Sequence, residues 1–148
     1  MAHDEWWTKK HLFNHLCQKY NIYPELDAFA SKENKLCDAY FCKDEDPDGL
    51  SGTWQGYRAV WWNPPNSQLK DCVLKAFMEW NEGATILGII PAHAFATWYF
   101  KDTIWESYKI LGKEKVVVEP CLPRPEFLDH GKDADNGNRN SYMEIVLR

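Results

Sequence analysis

The most informative stretch of this chain is Trp61-Trp62-Asn63-Pro64-Pro65-Asn66. Two consecutive prolines remove two backbone donors and stiffen the turn. The carbonyl before or between them points outward, and so does the Asn63 side chain. Those two oxygens together can accept both hydrogens of an exocyclic amine, which aims the amine lone pair at an electrophile. An Asn-Pro turn after a strand is also a common stop signal, so the neighbouring residues decide its meaning. Upstream lies Leu26-Asp27-Ala28-Phe29-Ala30-Ser31, an acid and then small residues, which suits a loop that a ligand approaches closely. Asp48-Gly49-Leu50 follows, with Trp54 just after it. Asp4-Glu5-Trp6-Trp7-Thr8 comes before all of these, and Ile89-Ile90-Pro91-Ala92-His93 after them.

The elements that must position these residues alternate between strand and helix. Thr8 is placed to cap a first helix, whose apolar stripe is Leu12, Phe13, Leu16 and Tyr20. His11 and His15 lie four apart on it, which reads as a solvated face rather than a metal pair, since no glutamate follows His11. Residues 32–58 are polar and turn-rich, and their acidic run from Asp44 to Asp48 reads as a solvated loop. Residues 59–62 form a short buried strand that ends at Asn63. Asn66 or Ser67 caps the clearest helix, with Leu69, Val73, Ala76, Phe77 and Trp80 on its apolar face and Gly83 stopping it. The apolar run from Ala84 to Ile90 suits a central parallel strand covered on both faces. A further helix holds Phe95, Trp98, Tyr99 and Trp105. Residues 115–118 form a strand, residues 119–140 a long loop, and Tyr142 to Leu147 a closing strand. The pattern predicts an α/β fold with a mainly parallel sheet. In such a sheet ligands sit at the carboxyl ends of the strands, where Asn63 falls.

Composition bounds the rest. The chain has 148 residues, enough for one domain over 1–148. It is 45% hydrophobic and 26% charged, ordinary for a globular protein. No apolar run approaches the ~20 residues needed to span a bilayer, and the amino terminus has no apolar core of a secretion signal. The net charge of −5 argues against binding a polyanion by bulk charge, but leaves room for a local basic groove. The five cysteines are odd in number and irregularly spaced. They read as reduced thiols of a cytoplasmic protein, with Cys37 and Cys42 too isolated for a zinc site. Aromatic residues make up 15% of the chain, most of them expected in the core, though exposed ones could support a homodimer.

In this order and at these gaps the motifs resemble the phage-type DNA N6-adenine methyltransferases of the Dam family. The resemblance rests on Asp4 to Thr8, Leu26 to Ser31, Asp48 to Leu50, Trp54, Val60 to Pro65, Ile86 to Ala92 and Arg124 to Phe127. It spans essentially the whole chain. It implies a Rossmann-like class I methyltransferase sheet, with helices on both faces, that binds S-adenosyl-L-methionine. By position, Trp7 and Thr8 match a segment that touches this cofactor. Asp27, Ala28, Phe29, Ala30 and Ser31 match the loop against its methionine and ribose part. Asp48 would accept from its adenine amino group, and Leu50 would pack on that ring. Asn63, Pro64, Pro65 and Asn66 match the catalytic motif, in which Asn63 and the Pro64 carbonyl hold the target amine. The resemblance implies neither a metal nor a covalent enzyme intermediate.

Three positions depart from the family pattern. Its tyrosine after Pro-Pro, which stacks on the extruded base, is Asn66 here. Such stacking is worth roughly 1–3 kcal/mol per base, so Trp61, Trp62 or Trp98 would have to supply another face. Lys9 stands in place of a proline, and Phe29-Ala30 in place of Ala-Ala. DNA is the expected partner, and no membrane is. Lys9, Lys10 and Arg124 are the candidate nucleic-acid contacts, Arg124 foremost for a phosphate; His11, Lys113, Lys115 and Arg139 are further local cations. Cytosine N4, RNA or a protein amide would suit the same turn. A fold that binds cofactor or nucleic acid without turnover is the reading from another class.

Overall fold

The computed structural model describes residues 6–125, 127–129, 132–133 and 141–148. Its centre is a six-stranded sheet in the order β3-β2-β4-β5-β9-β6. The strands are β2 (Leu26–Ala30), β3 (Ala39–Cys42), β4 (Val60–Trp62), β5 (Ile86–Pro91), β6 (Val116–Pro120) and β9 (Tyr142–Leu147). The pairs β2·β3, β2·β4 and β4·β5 are parallel, whereas β9 runs antiparallel to both β5 and β6. The expected central strand is therefore parallel to its neighbour on one side and antiparallel on the other. Its six residues are all buried.

Because strand side chains alternate between faces, each strand feeds two cores. Leu26, Ala28, Val60, Trp62, Ile86, Ile90 and Ile145 face one side. There they meet Leu69, Val73 and Ala76 of helix α2 (Leu69–Asn81), and Phe100 and Ile104 beyond β5. Trp61, Leu87, Ile89, Val117 and Val146 face the other side, under Phe13, Leu16, Cys17 and Tyr20 of helix α1 (Lys10–Tyr20). Phe13 stands edge-on to Trp61 at a centroid distance of 5.1 Å. Helices thus cover both faces, as the α/β reading expects.

Several boundaries differ from the sequence expectation. Leu26 to Ser31 is not a loop after a strand: Leu26–Ala30 is the strand itself, with its register to β3 broken between Asp27 and Ala30. The polar stretch 32–58 hides β3. Residues 119–140 hold two short strands, β7 (Phe127–Asp129) and β8 (Lys132–Asp133), which form a second sheet with β1 (Trp6–Thr8) in the order β1-β7-β8. Strands of two to four residues are too short to show an alternation.

Nor does one helix hold Phe95, Trp98, Tyr99 and Trp105. Phe95 lies in a 3-10 turn, Ala92–Ala96, that Thr97 interrupts in an extended conformation. Helix α3 (Trp98–Phe100) starts from the Thr97 cap, widens to a π-turn over Lys101–Trp105 and ends as α4 (Glu106–Leu111).

Neither expected helix cap is used. Lys9, not Thr8, occupies the cap position of α1, and no side chain caps it. Asn66–Gln68 form a 3-10 turn after Pro65, and α2 begins only at Leu69. Gly83, with φ +120°, does end that helix.

Candidate active site

The chain leaves β2 for β3 on one side and returns to place β4 on the other. Strand order reverses there, so a crevice opens outside the carboxyl ends of β2 and β4. A cavity of about 240 Å³ lies at this point. Thirteen predicted residues line it together: Trp7, Thr8, the run from Asp27 to Ser31, Asp48, Leu50, and the run from Asn63 to Asn66. Lys9, Lys10 and Arg124, the candidate nucleic-acid contacts, are not part of the lining. Lys10 and Arg124 are exposed. Asp4 and Arg139 lie outside the described residues.

Asp27 is the chemically unusual group. Its side chain is only 3% exposed, and its Oδ2 accepts from the Leu36 N–H at 3.0 Å. Burial pushes its carboxyl up to about 7, against the pull of the Leu36 and Phe29 N–H groups. Among the described residues no lysine, arginine or histidine pairs with it. A buried acid in this state has room for a cationic partner from outside the chain.

The Asp48-Gly49-Leu50 segment is held against the end of β2. Asp48 Oδ1 accepts from the N–H groups of Leu50 and Ser51 and from the Ser51 hydroxyl at 3.0–3.1 Å, which closes the turn. These bonds hold the Asp48 carboxyl below its ordinary value. Only its other oxygen is left for a ligand. Gly49 is required here, because a Cβ would fall 2.2 Å from the Ala28 carbonyl oxygen and 2.5 Å from the Phe29 ring. Trp54, fully buried, donates from Nε1 to the Gly49 carbonyl at 3.0 Å. Its own N–H donates to Glu79 Oε1 on α2 at 2.9 Å. Glu79 also accepts from Lys75 Nζ at 2.9 Å and from Gln55 Nε2 at 3.0 Å. Burial opposes its charge, yet these donors outweigh it and keep the carboxyl ionised below the usual range. The cavity wall is thereby tied to the helix that follows the Asn-Pro-Pro turn.

Asn63 leaves β4 at the cavity. Its Nδ2 donates to Thr8 Oγ1 at 2.8 Å. Thr8 is 4% exposed and reaches this position as the last residue of β1, paired with Phe127. Of the three tryptophans that could replace the missing tyrosine, Trp61 and Trp62 are buried, at 1% and 0% exposure. Trp98 is 60% exposed and follows β5 beyond its carboxyl end.

Sequence reasoning missed Leu36, Phe41, Gln68 and Tyr142 in the lining. Tyr142 was accessible in principle. An antiparallel strand begins where its parallel neighbour ends, and Tyr142 pairs with Pro91. Leu36 contributes a backbone N–H, which no residue type announces. The cysteines are all free thiols. Among the described residues no three His, Cys, Asp or Glu side chains gather to hold a metal ion.

A switch-point cavity of this composition, in a sheet with one antiparallel strand between β5 and β6, places the protein in the Rossmann-like methyltransferase class. More narrowly, the chain belongs to the DNA N-6-adenine-methyltransferase (Dam) family, which matches residues 1–113. It is similar to a DNA N-6-adenine-methyltransferase of Escherichia phage T1, with 31% identity over 152 aligned residues. That alignment covers 97% of this chain and 62% of the relative, so the chain spans less than two thirds of the relative's length. No solved structure matches the chain significantly.

Proposed function

We propose that residues 1–148 form one methyltransferase domain that transfers a methyl group from S-adenosyl-L-methionine to an exocyclic amine of DNA, adenine N6 foremost. The observation that carries this reading is the meeting of Asn63-Pro64-Pro65 and the buried acid Asp27 in one cavity. The phage relative, named as a DNA N-6-adenine-methyltransferase, supports the choice of adenine.

The residues present fit the cofactor. Asp27 offers a buried carboxyl without a cationic partner among the described residues, matched to a ligand that carries an amino group and a sulfonium. Phe29 and Leu50 give apolar surface beside it, and the second oxygen of Asp48 can accept from an adenine amino group. S-adenosyl-L-methionine, when bound, supplies an electrophilic methyl group.

The chain's own work is positioning. The Asn63 Oδ1 and the Pro64 carbonyl accept the two hydrogens of the target amine. This directs its lone pair into the cavity. Fixing that geometry and excluding water account for most of the rate that such a site can give. Pro64 and Pro65, which lack N–H groups, place no competing donor beside the amine. Neither Trp98 nor Arg124 lines the cavity; as exposed residues they are the aromatic and the cation proposed for a base displaced from its stack and for a phosphate.

One substitution tests the core of this reading. Asn63→Ala should lower turnover by about 100-fold or more, by analogy with removal of one transition-state hydrogen bond. Cofactor affinity measured by calorimetry should stay within about threefold, a change below 1 kcal/mol. Unchanged methylation in Asn63→Ala would remove Asn63 from the mechanism.

Asn66 in the place of an aromatic favours one other reading: a member of the family that binds cofactor without turnover.

A further inference from the structure

We propose that Thr8 is the positioning residue that anchors the Asn63 side chain with its amide oxygen toward the substrate. This rests on the reading of Asn63 as the acceptor of the target amine's hydrogens.

An asparagine amide has two ends of nearly equal size and opposite hydrogen-bonding sense. Only the oxygen can accept from an amine. The NH2 end would set donor against donor and turn the amine away. Rotation about the terminal asparagine torsion is broad and roughly two-fold, so the side chain does not choose by itself. The adjoining backbone offers no help, because Pro64 and Pro65 have no N–H to recruit Oδ1. In the structure the anchor is Thr8, whose Oγ1 accepts from Asn63 Nδ2 at 2.8 Å. With Nδ2 engaged, Oδ1 is the end left for the substrate. Thr8 is 4% exposed, so bulk water does not replace its hydroxyl.

The placement of Thr8 supports this role. A threonine just before a helix ordinarily spends its side chain on the cap. Here Lys9 holds the cap position, and the hydroxyl of Thr8 is turned to a residue 55 positions away. Thr8 is fixed in turn by pairing with Phe127 in the small β1-β7-β8 sheet.

The test compares Thr8→Val, which keeps the shape and removes the hydroxyl, with Thr8→Ser, which keeps the hydroxyl. Methyl transfer to duplex DNA is measured at saturating cofactor and DNA, beside cofactor Kd by calorimetry. Thr8→Val should lower kcat by about 10- to 100-fold, the range expected for one lost hydrogen bond in a buried site. Cofactor Kd should change by no more than about threefold, and Thr8→Ser should restore kcat to within about threefold of the parent. Because Thr8→Val fills a buried position, Thr8→Ala serves as a second variant, and cofactor binding reports that each is folded. Unchanged kcat in folded Thr8→Val or Thr8→Ala overturns the proposal. So does a loss confined to cofactor Kd, which makes Thr8 a cofactor contact instead. Asn63→Ala run alongside separates the two readings. If it is inactive while Thr8→Val is normal, only the role of Thr8 fails; if it turns over normally, the role of Asn63 fails first.

Discussion

Asp27 ties burial to chemistry most directly at the scale of single residues. Its folded carboxyl sits near 7 rather than near 4, chiefly because it is out of water. The raised value means that the folded protein holds the Asp27 proton between about pH 4 and 7, while the unfolded chain has released it. This group's effect on stability is therefore most favourable in acid and is lost as pH rises to about 7. A cationic ligand reverses the preference, because it binds the carboxylate. Cofactor affinity should rise about tenfold from pH 6 to pH 8, following the ionised fraction of a group titrating near 7. Asp27→Asn should bind more weakly at pH 8 and lose that slope. Calorimetric titrations of both proteins at the two pH values check this. Residue types drew attention to Asp27 and Asn63, but an Asn-Pro turn is also a common stop signal, and only the order of the motifs and the family resemblance gave the two residues their roles. The Thr8–Asn63 bond was not legible, because it joins two segments that meet only through tertiary packing.

Elements place these groups, and Gly88 shows how tightly. It sits on β5 opposite Trp62, the last residue of β4 before Asn63. A Cβ at Gly88 would lie 2.0 Å from the Trp62 carbonyl oxygen and 2.8 Å from the Trp62 Cβ. Both are on or next to backbone, so the strands must part. Gly88→Ala should cost about 1–3 kcal/mol, as overpacking of a close-packed core does. It should also lower turnover more than a stability loss alone explains, because the displaced strand carries Asn63. Thermal unfolding and kcat measured well below the melting point test the two parts. The longer elements could be read from sequence: α2 from its stripe of Leu69, Val73 and Ala76, β5 from its continuous apolar run, and β9 as a closing strand that is apolar but for Glu144. The short strands could not. Ala39–Cys42 and Phe127–Asp129 owe their state to partners in β2 and β1, not to a pattern of their own. The helix expected around Trp98 broke at Thr97, whose hydroxyl donates to the Ala94 carbonyl at 2.6 Å and accepts from the Phe100 N–H at 3.3 Å.

Across the whole molecule, the sheet reverses order between β2 and β4, and Trp7-Thr8, the run from Asp27 to Ser31, Asp48-Gly49-Leu50 and the run from Asn63 to Asn66 converge on that point. The order of the motifs along the chain pointed to the fold and to the cavity together. It could not show that residues 127–129 return to brace the amino-terminal strand beside Asn63. No helix among the described residues is long and apolar enough to cross a membrane. On the proposed function, the net charge of −5 requires DNA to be held locally rather than by the field of the protein. Methyl transfer from tritiated S-adenosyl-L-methionine, measured in parallel on unmethylated duplex DNA, single-stranded DNA and RNA, tests the central claim most directly. Label recovered in DNA adenine is the predicted result. Cofactor binding with no label in any of the three substrates would contradict it and leave a methyltransferase fold that binds without turnover.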